Sequence, residues 1–320
     1  MTKRVWLPYP DQAAAERALG PLPEGLVADC YLPQGDRPDA TLAPEDLPGS
    51  VAEVELIVAP YMAPPLPLLE RAGEMAALRA VQLQSAGYDN YLPHLPAGAV
   101  LCNAAGVHDA ATAELAVSLA LVNLRRLDRF ARAMTTGAWL EEFADSLADR
   151  RVLIVGYGRI GEAIERRLAG FEAASVTRVA RSARAEPEVH PVAELRERLA
   201  EADVVFVITP LTPDTRGLIG AAELAALPDG ALLVNVSRGP VVDTEALVAA
   251  VRTGRIRASL DVTDPEPLPA DHPLWSLPGV FITPHRGGQA SAFYPRIHRL
   301  LRDQLARFAA GERLANIVAE

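Results

Sequence analysis

The residues best suited to chemistry in this 320-residue chain are Arg238, Glu266 and His285, each a few positions beyond a short aliphatic run. Arg238 stands in Asn235-Val236-Ser237-Arg238-Gly239. Glu266 follows Asp261 by five residues and precedes Pro267. His285 stands in Thr283-Pro284-His285-Arg286-Gly287-Gly288. A guanidinium is a rigid fork that can hold a carboxylate and polarise a neighbouring carbonyl. An imidazole can give a proton to that carbonyl oxygen as a hydride reaches the carbon. A carboxylate beside the imidazole favours its charged form, which suits an acid working near neutrality. Singly, an arginine or histidine in a loop is more often structural. Together, after strands whose carboxyl ends bound the ligand crevice of an open α/β sheet, they form a set.

A second stretch organises the chain. Arg151-Val152-Leu153-Ile154-Val155 reads as a buried parallel strand and runs directly into Gly156-Tyr157-Gly158-Arg159-Ile160-Gly161. Apolar Ile160, Ile164 and Leu168 then recur at helical spacing. In such a strand–turn–helix, Gly156 permits the tight turn, Gly158 lets the backbone approach a pyrophosphate, and Gly161 lets the helix pack close to the strand. The helix N-terminus receives the phosphates on its free N–H groups and positive dipole end.

These residues need a scaffold, and the pattern supplies one. Residues 1 to about 50 are rich in proline, glycine and acidic side chains around short runs such as Leu26-Val27-Ala28, and no strand there is clear. Beyond them, Val54–Ala59, Ala80–Gln84, Val100–Asn103, Ala174–Ala180, Asp203–Ile208, Ala231–Val236, Arg257–Val262 and Val280–Thr283 read as strands. Leu66–Ala72, Ala193–Ala200, Ala221–Leu227 and Thr244–Arg252 read as helices. Asp109 to Met134 reads as one long helix, acidic at its start and carrying Arg125, Arg126, Arg129 and Arg132 towards its end, which suits the macrodipole. Phe293 to Gly311 reads as an arginine-rich amphipathic helix. Aliphatic, non-alternating strands between helices imply parallel sheets covered on both faces. Ser85-Ala86-Gly87-Tyr88-Asp89-Asn90, at the end of one strand, leaves small residues whose backbone N–H groups can face an anion.

Composition narrows the classes. The length suits two domains, and half the residues are hydrophobic, as in globular proteins. A net charge of −10 argues against a nucleic-acid surface. Cys30 and Cys102 have no metal-ligand or redox spacing, so no metal site is expected and a reduced, cytoplasmic setting is. Leu115–Leu124, the longest helical apolar stretch, is about half of a membrane span, and Pro8, Pro10 and Asp11 interrupt any signal-like region. No membrane association is expected.

The chain resembles the D-isomer-specific 2-hydroxyacid dehydrogenases, a family that includes glyoxylate/hydroxypyruvate reductases, phosphoglycerate dehydrogenases and formate dehydrogenase. The resemblance rests on the glycine motif, Pro210-Leu211-Thr212-Pro213-Asp214-Thr215-Arg216, Asn235–Gly239, Asp261–Leu268 and Thr283-Pro284-His285, spanning about residue 80 to 290. It implies an α/β protein in which a doubly wound parallel-sheet (Rossmann) cofactor domain, 102–287, is inserted into a smaller flavodoxin-like substrate domain made of 1–101 and 288–320, with the cleft at the hinge. It implies Arg238 as substrate anchor, His285 as acid/base and Glu266 as its partner. Ser85, Ala86 and Gly87 fall where backbone amides hold the substrate carboxylate. Gly156, Gly158, Arg159, Ile160, Gly161, Arg181, Thr209, Pro210, Thr215, Val236, Ser237, Arg238, Asp261, His285 and Gly288 fall at cofactor positions, Asp261 near the nicotinamide. It also implies a homodimer built largely on the long helix after Asn103.

One position departs from the NAD-binding version of the pattern. The Asp that accepts from the ribose 2′-OH about 20 residues beyond the glycines is replaced by Ala180, followed by Arg181, with Arg178 and Arg184 nearby. Arginines can pair with a 2′-phosphate that an acid would repel. NADP is therefore the expected cofactor, with NAD the alternative. The function expected is reduction of a 2-oxoacid such as glyoxylate or hydroxypyruvate to a D-2-hydroxyacid. Its rivals are a catalytically silent dinucleotide sensor and a formate- or phosphite-oxidising dehydrogenase on the same scaffold. Tyr61 and Met62 are candidates for lining the substrate side.

Overall fold

A computed structural model describes residues 2–32, 42 and 46–320. The chain forms two compact units, one of residues 1–108 with 291–320 and the other of 109–290.

The first unit begins with β1 (Lys3–Leu7), α1 (Gln12–Leu19) and β2 (Leu26–Cys30). The Asp11 carboxylate caps α1 by accepting from Ala14 N at 2.7 Å, and Gly20, at φ 77°, ends it. β3 (Val54–Val58), β4 (Ala80–Gln82) and β5 (Val100–Cys102) follow, and all five strands are parallel in the order β2-β1-β3-β4-β5. That is the flavodoxin-like order. Among the described residues of the first fifty, where mixed composition hid the period, two strands and a helix form. Leu66–Ala72, expected as a helix, forms turns followed by one 3-10 turn at Ala72–Glu74. Pro64, Pro65 and Pro67 deprive that stretch of the amide donors a helix needs.

The second unit opens with α2 (Asp109–Leu124) and α3 (Leu127–Met134). The single long helix expected here is broken at Arg126, which is left-handed at φ 55°. The reason is packing. α2 buries a small-residue side including Ala113, Ala116 and Ala120, and its last turn is tied down by Asn123 Nδ2 donating to Gly279 O at 2.9 Å. α3 buries nothing, and Arg126 and Arg129 instead pair with Glu142 on the segment that folds back along it.

The remaining elements are β6 (Arg151–Val155), α4 (Arg159–Leu168), β7 (Ser175–Ala180), β8 (His190–Pro191), α5 (Leu195–Ala200), β9 (Val204–Val207), α6 (Ala221–Ala226), β10 (Leu232–Asn235), α7 (Thr244–Arg252), β11 (Arg257–Leu260) and β12 (Val280–Ile282). Seven parallel strands run in the order β12-β11-β10-β9-β6-β7-β8, so the direction of winding reverses between β6 and β9. This is the doubly wound arrangement expected, and the reversal marks where such sheets bind ligands. Two apolar cores cover the sheet, one centred on Val205, Leu233 and Leu247, the other packing Ala116, Leu119 and Ile164 on Ile154 and Phe206. At the strands' opposite ends the Asp203 carboxylate accepts from Arg151 N and Nη2, both at 2.8 Å. The chain then returns to the first unit as α8 (Phe293–Ala310) and β13 (Ile317–Ala319), which pairs antiparallel with β5. The arginine-rich helix buries Phe293, Ile297, Leu301, Leu305 and Phe308. No helix among the described residues is long and apolar enough to cross a membrane.

Candidate active site

The glycine turn follows β6 at the reversal point. Gly156 has φ +103°, and a Cβ there would lie 2.6 Å from the Ile208 carbonyl, so the turn tolerates no side chain. A Cβ on Gly161 would lie 2.5 Å from Gly156 O, which is the close helix–strand contact the motif implies. Gly158 differs: a Cβ there would meet nothing within 4 Å. It starts α4 without a side-chain cap, so the amides of Arg159, Ile160 and Gly161 are left for an anion. The Arg159 side chain is engaged by Asp109 at 2.8 Å, and Ile160 packs on the core. At the neighbouring strand end, Thr209 Oγ1 is buried with no partner among the described residues. Open space before Gly158, free helix amides and an orphaned hydroxyl fit a dinucleotide diphosphate. Thr215 Oγ1 donates to Pro210 O at 2.6 Å and accepts from Thr212 N at 2.8 Å, so its hydroxyl shapes the 210–215 turn.

The three arginines in and just beyond β7 are not equivalent. Arg178 is paired with Glu165, its Nε donating at 2.8 Å, and its guanidinium lies 5.5 Å from the centroid of the Tyr157 ring. Hydrogen bonding from Arg178 holds the Glu165 carboxyl below the usual range despite its burial. Arg184 donates to the Tyr157 carbonyl and stacks on the same ring at 5.4 Å. Sequence had grouped Arg178 with the phosphate-pairing candidates, and its ion pair corrects that. Arg181 is exposed, beside half-buried Ala180.

Three loops at the carboxyl ends of β10, β11 and β12 carry the remaining residues. After β10, buried Asn235 folds the turn by itself. Its Oδ1 accepts from Ser237 N at 3.0 Å and Ser237 Oγ at 2.7 Å, and its Nδ2 donates to Arg238 O at 3.1 Å. Val236 and Ser237 are buried and Arg238 half-buried, with Nη1 donating to Ser237 O at 2.8 Å. Gly239 then passes so close to the next loop that a Cβ would lie 1.9 Å from Thr263 O. After β11, Asp261 is buried and Glu266 exposed. After β12, His285 Nδ1 lies 2.5 Å from Glu266 Oε1. Glu266 and His285 are thus brought together, and the Arg238 turn is packed against the strand end that leads to Glu266. Gly288 is half-buried beyond them. Asn235, Gly239 and Thr283 were not singled out from sequence. A buried asparagine before a polar turn and a glycine after the key arginine were the signals available.

In the first unit, the Ser85–Gly87 carbonyls are all engaged. Ser85 O accepts from Ala104 N at 2.8 Å, Ala86 O from Asn103 Nδ2 at 2.7 Å and Gly87 O from Ser85 Oγ at 2.7 Å. Their amides find no protein acceptor among the described residues, the polarity an anion cradle needs. Tyr61 stacks on Phe293 at 4.2 Å between centroids, and Met62 is left-handed at φ 60° and 45% exposed. Among the described residues, no group of three or more His, Cys, Asp or Glu could hold a metal ion.

Residues 117–287 match the family described as D-isomer specific 2-hydroxyacid dehydrogenase, NAD binding domain. The chain belongs to that family. A glyoxylate reductase/hydroxypyruvate reductase of Mus musculus is 38% identical over 267 residues, 79% of this chain and 77% of that protein. Glyoxylate/hydroxypyruvate reductase B of Citrobacter koseri is 37% identical over 238 residues, covering 69% and 70%. Among solved structures, a D-isomer specific 2-hydroxyacid dehydrogenase from Xanthobacter autotrophicus Py2 in complex with NADPH and MES superposes with a TM-score of 0.78 at 30% identity, covering 99% and 98% of the two chains. As a D-isomer specific 2-hydroxyacid dehydrogenase, the protein is an NAD(P)-dependent oxidoreductase acting on CH–OH donors.

Proposed function

We propose that this dehydrogenase reduces small 2-oxoacids, glyoxylate and hydroxypyruvate first among them, to D-2-hydroxyacids with NADPH. The observation that carries the reading is the His285–Glu266 pair, 2.5 Å apart, on the sheet that holds the glycine turn. The relatives named for glyoxylate and hydroxypyruvate support the substrate class.

The bound dihydronicotinamide supplies the hydride. His285 gives the proton: with Nδ1 held by Glu266, Nε2 is the nitrogen that donates to the carbonyl oxygen as C2 is reduced. The Glu266 carboxylate holds the ring through Nδ1 before and after transfer. Arg238 holds the substrate carboxylate and polarises its carbonyl. Ser85, Ala86 and Gly87 offer amides to a carboxylate. Gly156, Gly158, Gly161 and the first amides of α4 receive the diphosphate, with Thr209 beside them. Arg181 takes the 2′-phosphate, supported by the absence of an acid at Ala180 and by the engagement of Arg178 and Arg184 elsewhere. The first unit, residues 1–108 with 291–320, serves as substrate domain, and the second, 109–290, as cofactor domain.

We also propose a homodimer, supported by apolar side chains that α3 and the segment after it leave in water: Met134 is 78%, Trp139 90% and Phe143 99% exposed. Sedimentation velocity showing only monomer would contradict it. We also propose a cytoplasmic location, supported by two cysteines that are both free. The substrate test is NADPH and NADH oxidation with glyoxylate, hydroxypyruvate and longer 2-oxoacids, followed by chiral analysis of the product. An L-hydroxyacid product, or turnover only with formate or phosphite as donor, would overturn the substrate reading.

A further inference from the structure

We propose that Asp261 is a positioning residue that aims the His285 imidazole, acting through the backbone of the loop that carries it. This rests on the reading of His285 as acid/base and deepens it. Asp261 is only 2% exposed and sits immediately after β11. Four donors from the 283–287 loop converge on it. Its own carbonyl accepts from His285 N at 2.7 Å. Its Oδ1 accepts from Thr283 Oγ1 at 2.6 Å and from Arg286 N at 2.7 Å, and its Oδ2 accepts from Gly287 N at 2.8 Å. No ion pair with a cation is found for Asp261 among the described residues, so these dipoles carry the compensation for its charge.

His285 itself is left-handed, at φ 54°. A histidine holds that conformation only where the surroundings over-determine it. The surroundings are the carboxylate: consecutive amides beside a left-handed residue form a concave nest for an anion, and here the anion is the protein's own. Gly287 is part of the device, since a Cβ there would lie 3.1 Å from Asp261 Oδ2 and 3.3 Å from Thr112 Cγ2. The imidazole is therefore aimed from two sides, its backbone by Asp261 and its ring by Glu266. A proton donor must sit within hydrogen-bond reach of the oxygen it serves, and supporting partners of this kind are worth about ten- to hundredfold in rate.

The test is Asp261→Asn, nearly isosteric, in which an NH2 group must face one of the loop's donors. The expected result is a ten- to hundredfold loss in kcat, with KM for glyoxylate and Kd for NADPH each changed less than about threefold, and a larger solvent deuterium isotope effect on kcat. Thr283→Val, which removes one donor to the carboxylate, is expected to show the same split, and Thr283→Ser to restore it. These two keep the test open if Asp261→Asn does not fold. Weaker NADPH binding with kcat unchanged would assign Asp261 to the nicotinamide and overturn the proposal, as would unchanged kcat in Asp261→Asn and Thr283→Val alike. Failure of the underlying reading looks different: His285→Ala would then retain wild-type turnover.

Discussion

The two glycines around the start of α4 make opposite demands, so replacing each with alanine separates folding from cofactor binding. At Gly161 the new methyl would sit 2.5 Å from a backbone oxygen. Ordinary contact begins near 3.4 Å, so the helix start must retreat by about 1 Å from β6. Forced overpacking of this kind costs about 1–3 kcal/mol, more than the up to about 1 kcal/mol gained in helix propensity. Gly161→Ala is expected to lower Tm. At Gly158 the methyl would meet nothing within 4 Å, and the residue has φ −104°, which any L residue accepts. The entropy lost by the unfolded chain and the poorer alanine cap nearly offset each other, leaving stability within about 1 kcal/mol. The methyl would instead fill the approach to the diphosphate. Gly158→Ala is therefore expected to keep its Tm but lose at least about tenfold in affinity for NADPH and NADH equally, since both carry the same diphosphate. Thermal unfolding and fluorescence titration with each cofactor read the two quantities separately. A Gly158→Ala protein that binds both cofactors with wild-type affinity would refute the placement of the diphosphate at this turn.

Arg181→Asp should weaken NADPH binding by about tenfold or more, from the loss of a charge-assisted contact worth about 1.5–3 kcal/mol, discounted for exposure and increased by the new repulsion. NADH binding should change little, and equal losses in parallel titrations would remove Arg181 from the 2′-phosphate. Asp203→Asn should lower stability at neutral pH by about 1–3 kcal/mol, because Arg151 holds that carboxyl below its ordinary range. A depressed carboxyl contributes fully above its unfolded value and loses the contribution as pH falls through the folded one, so the gap between variant and wild type should close in acid. A gap that does not narrow as pH falls below the ordinary carboxyl range in denaturant titrations would assign the loss to something other than this ion pair. Because the pair lies at the strand ends opposite the glycine turn, KM values at neutral pH should not move.

What could be read in the sequence was what depends on spacing along one segment. The glycine turn, the strand–helix alternation and the positions of Arg238, Glu266 and His285 after their strands are all local patterns, and the reversal between β6 and β9 follows from the alternation and the glycines together. What could not be read depends on contact between distant segments. Gly239 is fixed by Thr263, Asn123 by the turn at Gly279, and the fate of Arg178 by Glu165 thirteen residues earlier. The break at Arg126 is invisible in a charge pattern that suits a continuous helix; it arises because only the first half has a surface to pack on. Asp261 was noted for a place near the nicotinamide, whereas its three carboxylate bonds to the 283–287 loop appear only once β11 and β12 lie side by side.

The most direct measurement is single-turnover oxidation of NADPH by hydroxypyruvate in the wild-type protein and in His285→Ala, with NADPH affinity determined for both. The account predicts that His285→Ala binds NADPH as the wild type does and reduces hydroxypyruvate at least about a hundredfold more slowly, the usual range for loss of a general acid. Turnover within a few-fold of wild type in His285→Ala, at equal cofactor occupancy, would contradict it.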